Sequence, residues 1–128
     1  MDRNSTFQLG KIGWVDLTVD NANQVRDFYR SVAGWSFEPV DMGGYADYEM
    51  RTNDGQSVAG ICHRRGPNAN LPPTWLVYIT VEDISASLQS VVELGGKVLD
   101  ERKDGDGNVV YCVIQDPAGA VAALARPM

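Results

Sequence analysis

Histidine occurs once in the chain, at His63, and cysteine twice, at Cys62 and Cys112. With a single imidazole and no CxxC spacing, neighbouring residues cannot assemble a His-rich or Cys-rich metal centre, and spacing suggests no Ser-His-Asp set. A lone histidine near a strand end is more often a surface residue than a ligand. Both cysteines lie in strand-like runs, VAGICH and VVYCVIQD, and read as small buried hydrophobes rather than as a disulfide. Cations are also in the minority: 11 Lys and Arg face 17 Asp and Glu, for a net charge of -6, and they are scattered. No basic stripe is offered to nucleic acid, whereas a cationic small ligand would be drawn in. No apolar run approaches the roughly 20 residues of a membrane helix. The start, MDRNSTFQLG, lacks a signal peptide's apolar core, so a cytoplasmic protein without a membrane partner is expected.

What the chain does contain is a repeat. WVDLTVDN at 14–21 reads as a strand, ANQVRDFYRSVA at 22–33 as an amphipathic helix, and Gly34-Trp35 as the turn that follows. LVYITVED at 76–83, ISASLQSVVEL at 84–94 and Gly95-Gly96 repeat that order 62 residues later. Asn21 and Asp83 stand where helix caps belong, and the apolar stripes are Val25, Phe28, Tyr29 and Val32 in one helix and Ile84, Leu88 and Val91 in the other. Three strands are predicted after each helix, at 35–41, 45–52 and 57–64, then near 97–103, 108–115 and 120–126. Residues 1–9 read as a polar lead-in and 64–74 as the loop between repeats. A length of 128 residues suits one domain with two half-size repeats, about 10–64 and 75–126, that complete each other. The predicted fold is α+β: two βαβββ modules pairing into a curved-sheet half-barrel with a shared cleft.

The motifs W-V-D-L-T-V-D, F-Y-R-S-V-A-G-W, W-L-V-Y-I-T-V-E-D, E-L-G-G-K-V and D-P-A-G, in this order over about residues 11–126, resemble those of the vicinal oxygen chelate superfamily. That superfamily includes glyoxalase I, extradiol dioxygenases and bleomycin-resistance proteins. The resemblance implies a metal held by up to four side chains, one from each of four strands. Carried over by register, those places fall on Trp14, Gly60, Leu76 and Ala123, none of which offers a metal a donor. No metal and no cofactor is therefore expected.

Strand alternation, with Tyr48 aligned to Tyr111 at an offset of 63, places Trp14, Asp16, Tyr48, Met50, Cys62, Leu76, Tyr78, Tyr111 and Ala123 on the cleft side as ligand-binding candidates. Asp47 and Glu49 are expected to face outward as solvated charges. The lining is aromatic and apolar, which suits a flat or hydrophobic ligand. Asp16, a mid-strand acid, is either paired with a cation such as Arg51 or Arg64 or functional, as a general base or counter-ion; Tyr78 is the other catalytic candidate. Two classes of function follow. One is a metal-independent small-molecule binding protein, like the bleomycin-resistance members; the other is an enzyme of the same superfamily with a non-standard or metal-free site. Trp35, Trp75 and the apolar loop Leu71-Pro72-Pro73 suggest association as a homodimer.

Overall fold

The computed structural model describes residues 8–127. Of the expected lead-in over 1–9, residues 1–7 lie outside the described residues. The elements are β1 (Ile12–Val19), α1 (Ala22–Ala33), β2 (Ser36–Asp41), β3 (Ala46–Arg51), β4 (Ser57–His63), a short 3-10 turn (Gly66–Asn68), β5 (Trp75–Thr80), α2 (Ile84–Glu93), β6 (Lys97–Lys103), β7 (Val109–Gln115) and β8 (Val121–Ala125). The order βαβββ thus occurs twice, and the fold is α+β. Among the described residues no helix is long and apolar enough to cross a membrane. The chain divides into two compact units, Trp14–Trp75 and Leu76–Met128 together with Met1–Gly13.

In the Trp14–Trp75 unit, β1 pairs with β4 in parallel, β4 with β3 antiparallel and β3 with β2 antiparallel. A two-residue alternation sends Leu17, Val19, Tyr48, Met50, Ala59 and Ile61 to one face, where they form a core with Ala22 at the start of α1. Val25 and Tyr29 of α1 pack on that core, while Phe28 and Val32 of the expected stripe stay exposed. Arg26 extends the seal, its guanidinium 4.4 Å from the Phe37 ring centre and 4.6 Å from that of Tyr48. Gly34, at φ 72°, ends the helix in the left-handed conformation that glycine adopts most easily. Asn21 occupies the cap position without capping: its amide donates to Gln24 Oε1 at 2.9 Å.

Trp35 and Trp75 are not the free surface residues on which a dimer was expected to rest. Trp35 stacks on Tyr29 at 5.7 Å and meets Trp75 edge-on at 6.0 Å, and the Trp75 indole N–H donates to the Tyr29 hydroxyl at 3.2 Å. Leu71 is buried as well, and its carbonyl accepts from Arg64 Nε at 2.9 Å.

The other unit repeats the plan. β5 pairs with β8 in parallel, β8 with β7 antiparallel and β7 with β6 antiparallel. Ile84, Cys112 and Leu124 make its core, with Ile79, Leu88, Val91 and Ile114 packed against them. Here the cap works: Asp83 accepts from the Ala86 N–H at 3.1 Å. The D-P-A-G turn is built by its aspartate, since Asp116 Oδ1 accepts from the backbone N–H groups of Ala118 (2.8 Å) and Ala120 (3.0 Å).

Tyr48 and Met50 depart from the sequence expectation, because both lie under α1 and not on the face away from it. Met50 is fully buried in the core, and the Tyr48 hydroxyl donates to Asn23 Oδ1 on α1 at 2.6 Å. The cause is a one-residue slip in the repeat. Tyr48 stands opposite Ile61 and Cys112 opposite Leu124, so Tyr48 corresponds to Cys112 and not to Tyr111. The first hairpin is one residue longer than the second, and an odd offset exchanges the faces of a strand. Met50→Ala is therefore expected to cost about 2–5 kcal/mol of stability, and Tyr48→Phe about 0.5–1.5 kcal/mol. Urea titrations check both values; a stability loss below these ranges accompanied by weaker ligand binding would return the two side chains to the ligand face.

Candidate functional site

The face of β1, β4 and β3 turned away from α1 holds the candidate site residues of the Trp14–Trp75 unit. Trp14 and Asp16, two residues apart on β1, project together from it, and the Trp14 indole Nε1–H donates to Asp16 Oδ1 at 2.5 Å. Asp16 stands opposite Gly60 on β4. Its carboxylate lies over the glycine so closely that a methyl group at residue 60 would collide with Oδ1, with the Trp14 nitrogen 3.6 Å from the same point. The indole N–H holds the carboxylate, and the lack of a side chain at Gly60 leaves the room it occupies.

Glu49 is the residue of β3 opposite Gly60, so it shares this face, and Asp47 follows by alternation. Neither is the outward, solvated charge expected from the sequence. Asp47 is buried and accepts the His63 backbone N–H at 2.8 Å. Glu49 takes a fork from Arg51, Nε at 2.8 Å and Nη2 at 2.6 Å, which holds its carboxyl below the usual range. The cations weighed as partners of Asp16 have these other bonds: Arg51 holds Glu49, and Arg64 reaches Asp20 at 3.0 Å. The pairing of β3 with β4 places Glu49 and Asp47 here, and no local feature of the sequence marks the longer hairpin.

Cys62 stands opposite Thr18, two residues beyond Gly60. Burial first, then the charges of Asp16 and Asp47, push its thiol well above the ordinary range. Cys112 lies in the α2 core, and burial pushes its thiol up to about 11. His63, expected from the sequence to be a surface residue, packs edge-on to Tyr45 at 5.7 Å and obliquely on Tyr48 at 6.1 Å, the latter an α1-side residue.

In the other unit, Tyr78, Tyr111, Val113 and Ala123 share the face away from α2, as does Leu76 by alternation. Tyr78 and Val113 both stand opposite Ala123. The rings of Tyr78 and Tyr111 meet edge-to-face at 5.7 Å and 75°. Leu76, Val113 and Ala123 are buried.

The metal that the resemblance implies does not fit these residues. Trp14 offers an N–H that already donates to Asp16, Gly60 offers no side chain, and Leu76 and Ala123 offer hydrocarbon. Among the described residues, no three His, Cys, Asp or Glu side chains are grouped to hold a metal ion.

Residues 14–125 match a family model described as a glyoxalase-like domain. CFP32 of Mycobacterium tuberculosis (strain CDC 1551 / Oshkosh), named provisionally as a glyoxylase, is 36% identical over 129 residues, covering 97% of this chain and 48% of its own length. The anthracycline biosynthesis protein DnrV of Streptomyces peucetius is 30% identical over 132 residues, covering 94% of this chain and 48% of its own. The chain thus spans just under half the length of these curated relatives. Two solved structures share the fold. A hypothetical protein, BH1468, from Bacillus halodurans C-125 has a TM-score of 0.58 at 14% identity, covering 94% of this chain and 96% of its own. A methylmalonyl-CoA epimerase of Streptomyces coelicolor, solved with 2-nitronate-propionyl-CoA, has a TM-score of 0.51 at 16% identity, covering 93% of this chain and 98% of its own.

The thiols provide a chemical check. With both pKa values raised, Cys62 and Cys112 should resist a thiol reagent at a pH of about 8 in the native protein and react fully in guanidinium. Because the unfolded thiols ionise near their ordinary 9.0 and the folded ones do not, stability should fall as pH rises past that value. Rapid native modification of Cys62 would contradict the placement of its thiol beside two carboxylates.

Proposed function

The chain belongs to the glyoxalase-like domain family of the vicinal oxygen chelate superfamily, and on that premise we propose that it binds an aromatic or apolar small molecule without using a metal ion. One observation carries this reading: at the places that the resemblance assigns to metal ligands stand an indole bonded to a carboxylate, a glycine and two buried hydrocarbon side chains. What replaces the metal donors is aromatic surface. Trp14 is a flat wall held in place by its bond to Asp16, and a ligand ring stacked on it contributes on the order of 1 kcal/mol beyond burial. Tyr78 and Tyr111 form a second aromatic surface in their own unit. The name of DnrV, for anthracycline biosynthesis, supports a polycyclic aromatic small molecule as the ligand class.

A second reading is an enzyme of the same family, a glyoxalase-type lyase, isomerase or dioxygenase with a non-standard or metal-free site. The provisional glyoxylase name of CFP32 favours it. It assigns Asp16 as general base, with Tyr78 as the other candidate. The two readings part on turnover: a ligand recovered unchanged after prolonged incubation supports binding, and a product followed by NMR supports the enzyme.

For the binding reading, a thermal-shift screen of aromatic compounds supplies a ligand, and its affinity should not change on dialysis against EDTA. Trp14→Ala should weaken it at least about tenfold. Loss of binding in EDTA with recovery on stoichiometric zinc, nickel, manganese or iron would overturn the proposal. We retain the homodimer as a proposal, now based on the exposed Phe28, Val32, Val40 and Met42. Light scattering should return twice the 14.0 kDa of one chain, and the single-chain mass would refute it.

A further inference from the structure

We infer that the groove between α2 and β7 is a second small-molecule site, one that takes a neutral, planar aromatic ring with a hydrogen-bond donor, of the size of an indole. It lies wholly within the unit of α2, on the helix side of its sheet. None of the residues of the Trp14 face lines it, so the inference does not depend on the reading given above.

The duplicated plan shows what chemistry belongs there. Gly34 and Gly95 follow their helices at φ 72° and 92°, and Phe37 pairs with Met50 as Val98 pairs with Ile114. By these marks Trp35 corresponds to Gly96 and Met50 to Ile114. Tyr29 corresponds to Val91, each the eighth residue of its helix and each packed on its own core. In the Trp14–Trp75 unit the rings of Tyr29, Trp35 and Trp75 pack against the core, and Met50 is completely buried. The hollow left beside α1 lies against the rings of Phe28, Tyr29 and Trp75 and does not reach Met50. In the unit of α2 a valine and a glycine stand for Tyr29 and Trp35, and Ile114 is only half-buried. An open groove of about 450 Å³ remains, lined by Val81, Val91, Leu94, Ile114 and Leu124. No side chain refills it from residue 96, since a Cβ there would lie 2.7 Å from the Gln115 carbonyl oxygen. A place that aromatic rings fill in one copy of the plan is thus open in the other, at a volume within the roughly 300–1,000 Å³ of ligand pockets. Apolar cavities of this kind take up aromatic molecules.

The rim sets the ligand's polarity. Gln115 Nε2 donates to the Gly119 carbonyl at 3.2 Å, which orients the amide and makes Oε1 its acceptor. Asp116 adds a carboxylate held by the N–H groups of Ala118 and Ala120, and Ser87 and Ser90 add hydroxyls. Among the described residues no Lys or Arg lines the groove. Acceptors without a cation suit a ring N–H or a phenolic O–H and disfavour a carboxylate.

The test is a methyl-detected NMR titration of the whole chain with indole, in which the Trp14 indole N–H signal reports separately on the other face. The methyl signals of Val91, Ile114 and Leu124 should shift together and saturate. 1-Methylindole, which lacks the donor, should bind about two- to tenfold more weakly than indole, and indole-3-carboxylate should also bind more weakly. Val91→Tyr puts back the ring that α1 has at this place and should lower the affinity for indole at least about tenfold. Should it fail to fold, Ser90→Phe, on the exposed side of α2 and lining the same groove, decides in its stead. Groove methyls unmoved up to the solubility limit of indole, or indole bound unchanged by the filled variant, overturn the inference. Shifts confined to the Trp14 signal overturn it as well, while supporting the small-molecule reading of that face. Shifts at the groove methyls that follow protein concentration without indole assign the groove to a second copy of this chain, and likewise overturn it.

Discussion

In each unit one helix covers one face of four strands, and nearly everything else depends on that constraint. A strand presents alternate residues to opposite faces, so deciding which residues lie beneath the helix also decides which are left for chemistry. Beneath α1 are Leu17, Val19, Met50 and Ile61; on the reverse face, from the same strands, are Trp14, Asp16, Glu49 and Gly60. Hydrophobic burial thereby orients the polar site, without any polar interaction having to specify the direction. The core residues are site residues at one remove, because a shift of one position in any strand would exchange the two sets.

The site is also a case of steric and polar terms acting together. Gly60 does not serve a left-handed turn; its lack of a side chain leaves room for the Asp16 carboxylate, which a Cβ there would displace. The indole of Trp14 supplies the hydrogen bond that makes placing a half-buried carboxylate there tolerable. The nearby thiol registers the resulting charge, since Asp16 and Asp47 both raise the pKa of Cys62 after burial has done so. The metal donors that the resemblance implies are not offered by Trp14, Gly60, Leu76 or Ala123, and the proposed site relies on aromatic surface instead.

The duplicated plan, both helices, all eight strands and the D-P-A-G turn were legible in the sequence, because each rests on local rules: period two in strands, apolar spacing in helices, glycine at helix ends and aspartate in turns. The places of Trp14 and Asp16 away from α1, and of Tyr78 and Tyr111 away from α2, were legible for the same reason, each strand there containing an unbroken alternation. Asn21 shows a limit of such rules. Residue type put it at the cap position, yet its amide turned to Gln24, since two polar side chains one turn apart can satisfy each other.

What only the tertiary structure decided was register between strands. The sequence by itself determined that two βαβββ units exist and which residues alternate within each strand. It did not determine that the β3–β4 hairpin is one residue longer than its counterpart, a difference that sends Tyr48 and Met50 into the core and brings Glu49 beside Gly60. It also did not determine that Trp35 and Trp75 would pack on Tyr29 instead of on another chain. Both outcomes have one physical reason. Alternation is a property of a single strand and can be read along the chain, whereas register and aromatic partners are chosen by contacts between segments distant in sequence. There the packing of a whole unit, and no local preference, selects among arrangements that differ by a single residue.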